Sequence, residues 1–154
     1  LDADLLPCLN TLSKNLKLAC HMFSEHDIQP VFEMINGTDM PRFLVQNIAQ
    51  AQEMLEAVQH PALKMQYDCY HMAMMGEDVL QGLQENIQAI GHIQFADCPG
   101  RHEPDTAQIM YANIFEWLQH SSYDGFIAAE YRPKTVSTQS FAWKAKYFAA
   151  HPQS

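Results

Sequence analysis

Four short apolar runs, each closing on or beside an acid or an amide, set the tightest limit on what this chain can fold into. They are IQPVFE (28–33), LKMQYD (63–68), GHIQF (91–95) and DGFIAAE (124–130), and the polar residues are Glu33, Asp68, Gln94 and Glu130. Successive members stand 35, 26 and 36 residues apart. A strand and its covering helix take about 31 residues when eight such units close a parallel barrel of ~250 residues. In that architecture the catalytic groups sit at the C-terminal ends of the strands, around one mouth. The spacing therefore predicts an α/β fold: a parallel (β/α) barrel of TIM type, with about four β/α units. The four oxygen-bearing residues are expected to converge there.

The segments between the runs fit this reading. Residues 9–26 place Leu9, Leu12, Leu16, Ala19, Cys20 and Phe23 at helical spacing, with Asn10 or Thr11 available as N-cap. Asp39 and Pro41 stand in the order that opens a helix carrying Phe43, Leu44, Ile48, Ala51, Leu55 and Val58. Val79, Leu80, Leu83, Ile87 and Ile90 predict the next helix, with Gly91 as its stop. Residues 96–112 read as a long polar loop, and loops of that length in compact domains are usually functional. Asn113 is placed to cap a helix with Ile114, Phe115 and Leu118, and a last helix is expected over 138–150. No internal boundary divides residues 1–154, so one domain is expected. Strands too apolar for a wet face indicate a parallel sheet covered by helices.

Charge and composition narrow the function classes. A net charge of −9 argues against nucleic acid, which would call for a basic face. No stretch approaches the ~18 uninterrupted apolar residues of a membrane span. Cys8, Cys20, Cys69 and Cys98 show no zinc-like spacing and read as reduced thiols. With no targeting motif legible, the expectation is a cytoplasmic protein. The sequence begins with Leu1, and four β/α units make half a barrel. The expectation is the C-terminal half of a longer protein, completed by an N-terminal half-barrel or by association with other copies.

Three carboxylates and an amide oxygen form a hard donor set that suits magnesium or manganese better than zinc or copper. Glu33 and Glu130 end the first and last runs. A pair so placed fits removal of a substrate proton by one carboxylate and its return by the other, with a Lewis acid stabilising the enediolate. Each residue also has a plain reading: an acid at a strand end is commonly a helix cap or a solvated charge. His71, three residues after Asp68, is commonly a packing or surface residue, yet its place makes a substrate hydrogen bond credible. Arg101 and His102 lie in the long loop, where an anionic substrate would need a local cation, and Arg101 has the fork geometry for a carboxylate. The nine methionines read as core filler.

Several strings point one way: FEMIN followed by TDMP, KMQYDCYHM, GHIQFADCPGRHEP and AAEYRP. They resemble the hydroxypyruvate isomerase family of the xylose-isomerase-like TIM-barrel superfamily, over roughly residues 10–135 and in the C-terminal half of that family. The resemblance implies a divalent ion on Glu33, Asp68, Gln94 and Glu130, with Glu33 and Glu130 as the acid–base pair. It also implies that His71 and Arg101, with His102 beside it, face the substrate. Related epimerases carry a histidine where Gln94 stands. Met34 follows Glu33 where family members often have proline, and after Pro133 the sequence departs from the family pattern.

The implied activity is metal-dependent interconversion of hydroxypyruvate and 2-hydroxy-3-oxopropanoate. The alternatives are a 2-oxotetronate isomerase, a sugar epimerase, a metal-dependent nuclease on the same fold, and a catalytically silent half-barrel that needs a partner chain.

Overall fold

The computed structural model describes residues 5–148. Eleven elements follow one another: α1 (Leu5–Ser24), β1 (Val31–Glu33), α2 (Ile48–Val58), β2 (Lys64–Asp68), α3 (Cys69–Met74), α4 (Val79–Asn86), a 3-10 turn (Ile87–Ala89), β3 (Ile90–Phe95), α5 (Tyr111–His120), β4 (Phe126–Ala129) and α6 (Ala142–Phe148). The strands form one sheet in the order β1-β2-β3-β4, and every neighbouring pair is parallel. Among the described residues, β1 and β4 are hydrogen-bonded to a strand on one side only.

The sheet has two unlike faces, a correction to the expectation of strands apolar throughout. Along β2, Met65 and Tyr67 are fully buried while Lys64 and Gln66 are half-buried. Along β3, Ile93 and Phe95 are buried and His92 and Gln94 are half-buried. Successive side chains of a strand point to opposite faces. The buried set meets the helices, and the other face carries a polar row. Phe95 packs edge-on against Phe115 and Trp143, with ring centroids 5.3 and 5.1 Å away, and so ties α5 and α6 to β3. Cys20, Met54, Val58 and Leu63 form a smaller apolar cluster between α1 and α2.

Several predicted boundaries move. α1 begins at Leu5, so Asn10 and Thr11 lie inside it, and the Thr11 hydroxyl donates to the Pro7 carbonyl at 2.9 Å. Asp39 and Pro41 do not open α2. Asn47 does, accepting the Gln50 N–H at 3.0 Å. Asn113 is not a cap, because α5 already starts at Tyr111. Gly91 lies in β3 rather than ending a helix: a Cβ there would come within 2.7 Å of the Lys64 Cβ and 2.8 Å of the Gln29 Oε1. Close strand-to-strand approach explains that glycine. The last helix runs over Ala142–Phe148, and positions 149 and 150 of its predicted span lie outside the described residues.

Candidate active site at the strand ends

Register decides which polar residues meet. Glu33 pairs with Gln66, Asp68 with Gln94, and Gln94 with Ala128. Glu130 stands two residues beyond that last partner, just past the end of β4. Offsets of two residues keep a side chain on the same face. The four predicted residues therefore climb along one face of the sheet at the C-terminal ends of its strands.

Asp68 is fully buried and divides its carboxylate between two tasks. Its Oδ1 accepts the Tyr70 N–H at 2.9 Å and caps α3, so the plain reading as a helix cap holds for that oxygen. Its Oδ2 faces the mouth, 3.4 Å from the Arg101 guanidinium and 3.7 Å from the His71 Nε2. Burial pushes the carboxyl up to about 7, against the lowering effect of the Tyr70 N–H and Arg101. Glu33 is likewise raised by burial, with a bond from Gln66 opposing the shift. Its Oε1 is buried without a hydrogen-bond partner. Such an orphaned oxygen is costly unless something positive reaches it.

His71 is a helical residue of α3, 2% exposed. Its Nε2 lies 3.8 Å from the Glu33 Oε1. Burial is the main reason its pKa falls to about 4, with the positive charge of Arg101 adding to it, so the ring is neutral at physiological pH. Glu33, Asp68 and His71 each offer a ligand atom within 4.8 Å of the others, a grouping able to hold a metal ion.

The other predicted residues are placed differently. Gln94 accepts a hydrogen bond from the Gln66 amide. Glu130 is exposed and bonded to Arg101 at 2.8 Å. Arg101 thus bridges Asp68 and Glu130, and its guanidinium stacks 4.9 Å above the Tyr70 ring. His102 turns its Nδ1 to the Arg132 carbonyl at 2.7 Å. A cavity of about 570 Å³ opens here, with Glu33, Asp39, Tyr70, His71, Arg101 and Glu130 in its wall.

Three residues escaped the sequence reading. Gln66 sits beside Glu33 on the polar face, and the two-residue step back from Asp68 was the signal for it. Asn36 is fully buried against His71. Asp97 is the organiser of the long loop: its two oxygens accept the N–H groups of Cys98, Thr106, Ala107, Gln108 and Ile109 at 2.8–3.0 Å. The loop so pinned holds Arg101 in a left-handed conformation, φ 52°, with its carbonyl accepting from the Arg132 N–H at 2.7 Å.

Residues 2–147 match the family model described as xylose isomerase-like TIM barrel, and the chain belongs to that family. It is 36% identical over 146 residues to a 2-oxo-tetronate isomerase of Cupriavidus necator, covering 95% of this chain and 56% of that protein. It is 36% identical over 137 residues to the hydroxypyruvate isomerase of Escherichia coli, covering 89% and 53%. The chain thus spans about half the length of the curated relatives it matches. An AP endonuclease, family 2, from Brucella melitensis superposes with a TM-score of 0.89 at 29% identity, over 95% of this chain and 57% of that one. A 3-keto-D-glucoside 4-epimerase from Escherichia coli gives a TM-score of 0.81 at 20% identity, over 95% and 56%, and shows the fold alone.

Proposed function

We propose that this site isomerises a small hydroxy-oxo acid, hydroxypyruvate to 2-hydroxy-3-oxopropanoate, by proton transfer between two glutamates. The observation that carries this reading is Arg101 set among the carboxylates of Glu33, Asp68 and Glu130 in one cavity. Arg101, with Arg132 also in the cavity wall, gives this acidic mouth a cation for a substrate carboxylate, which would take over its present ties to Asp68 and Glu130 and release those acids. The relatives named hydroxypyruvate isomerase and 2-oxo-tetronate isomerase support the same class.

The donor set fits a magnesium or manganese ion. It is oxygen-rich, and the buried Glu33 Oε1 is left without a partner inside the protein. Glu33 and Asp68 would hold the ion, with Gln94 and Glu130 as the further oxygen donors. When bound, it would supply Lewis-acid stabilisation of charge developing on the substrate oxygens. The protein's own groups carry the protons. One glutamate takes a proton from C3 of hydroxypyruvate, leaving an enediolate across C2 and C3. The other returns a proton to C2, while the proton on the C3 oxygen passes to the C2 oxygen, leaving an aldehyde at C3 and a hydroxyl at C2. Desolvation of Glu33 raises its basicity, which suits a carboxylate to this work.

Proton NMR of hydroxypyruvate with the protein and magnesium or manganese tests the reading. An aldehyde resonance that grows with time and vanishes on chelation is expected. No reaction here, with turnover of 2-oxotetronate instead, would move the substrate to the longer acid. A second reading keeps the site but requires further β/α units or a partner chain for turnover. The two sheet edges, unpaired among the described residues, and Phe126, 84% exposed on β4, favour it.

A further inference from the structure

The two ring nitrogens of His71 have different surroundings. Nδ1 lies 2.6 Å from the Asn36 Nδ2 and 3.4 Å from the Asn36 backbone N–H, which donates to it. The backbone nitrogen can only donate, and so can an amide NH₂. The orientation of the Asn36 amide is itself determined by its other bonds. Its Oδ1 accepts the N–H groups of Thr38 at 3.0 Å and Asp39 at 2.8 Å, and its Nδ2 donates to the Asp39 Oδ2 at 3.0 Å. Turning the amide over would set NH₂ against two N–H donors and oxygen against a carboxylate. The acceptor, Asp39, is held in turn by the Tyr70 hydroxyl at 2.8 Å, and Tyr70 lies under Arg101. All four hydrogen-bonding positions of the fully buried Asn36 side chain are thereby used.

From this network we infer that Asn36 is a positioning residue which fixes His71 as the tautomer protonated on Nε2. His71 then presents an N–H donor to the mouth and has no lone pair there for an ion. Nδ1 is the acceptor, so the proton of the neutral ring sits on Nε2, the nitrogen facing Glu33 and Asp68. A nitrogen that carries a proton cannot ligate. Of the grouping Glu33, Asp68 and His71, only the two carboxylates can bind a cation as the ring stands. The Nε2–H is left to donate to a substrate oxygen on which negative charge builds. This rests on the isomerase reading only for the substrate; the tautomer and the ligand assignment follow from the hydrogen bonds.

The test is nitrogen NMR of the protein labelled with ¹⁵N-histidine, the His71 ring being assigned by its loss in His71→Gln. In the wild type, with and without magnesium, the expected result is an unprotonated Nδ1 and a protonated Nε2. A proton on Nδ1, or loss of the Nε2 proton on adding magnesium, overturns the inference. Asn36→Asp places carboxylate oxygen where the NH₂ stood and should draw the proton to Nδ1. An unchanged ring in a folded Asn36→Asp protein would remove Asn36 from the role. Kinetically that variant should lose at least tenfold in kcat with KM changed by less than threefold; a change confined to KM would contradict it. A protonated Nε2 in a protein that does not turn over hydroxypyruvate would leave this inference standing and remove the proposed reaction.

Discussion

Asp68 shows how much one side chain can be asked to do. One oxygen ends β2 and starts α3 by capping, and the other faces the mouth from a fully buried position. A carboxyl raised by burial is stabilised in its neutral form. In the ion-free protein its contribution to stability is therefore complete below about pH 4, the ordinary carboxyl value, and lost as pH rises through about 7. A cation needs the ionised form, so binding of magnesium or manganese should weaken as pH falls below 7 and should release a proton at pH 6. Calorimetry in buffers of different ionisation heats measures that proton; none released would disconnect Asp68 from the ion. Arg101→Ala should raise KM for a carboxylate substrate about 10- to 100-fold, the worth of one charged hydrogen bond. An unchanged KM would refute the contact. The strand-end positions of Glu33, Asp68, Gln94 and Glu130 were legible in the sequence because a strand end is marked by where an apolar run stops. Asn36 was not: nothing in a chain of letters says that an asparagine 35 residues away will meet His71.

At the scale of elements, the order of strands and helices was legible and their ends were less so. Periodic apolar spacing marks a helix, but capping marks its boundary. Asn47, Asp78 and Asp68 cap α2, α4 and α3 through bonds that compete with many similar candidates in the sequence. α3 was missed because six residues carry too little periodicity to read. The long loop was expected to be functional from its length alone, while its architecture depends on Asp97, which gathers five N–H groups. Asp97→Ala would leave buried donors unpaired and should cost about 3 kcal/mol or more in denaturant unfolding, with Arg101 released from its place. Loss of less than about 1 kcal/mol would show that the loop holds itself. Phe95, Phe115 and Trp143 anchor the far side of the same sheet, so the loop is suspended from a rigid base.

For the whole molecule, the parallel sheet gives the site its shape. Four strands in sequence order, each returned by helical segments, bring their C-terminal ends to one rim. Residues 97 positions apart, Glu33 and Glu130, come to line the same cavity. No helix among the described residues is long and apolar enough to cross a membrane. The interval between polar strand ends predicted this arrangement, because a β/α unit has a nearly fixed length. The stagger between strands could not be predicted, since register depends on pairing. That stagger puts Glu33 beside Gln66 and lifts Glu130 above the rest. The central claim is that Glu33 and Glu130 exchange the proton between C3 and C2. Its most direct test is proton NMR of hydroxypyruvate in heavy water, with the wild type, Glu33→Gln and Glu130→Gln side by side. The wild type should make the aldehyde with deuterium at C2. Both variants should fail to make it, and one of them should still wash deuterium into C3 above the enzyme-free rate, because the base remains when the returning acid is gone. Aldehyde formed at near wild-type rate by either variant would contradict the claim.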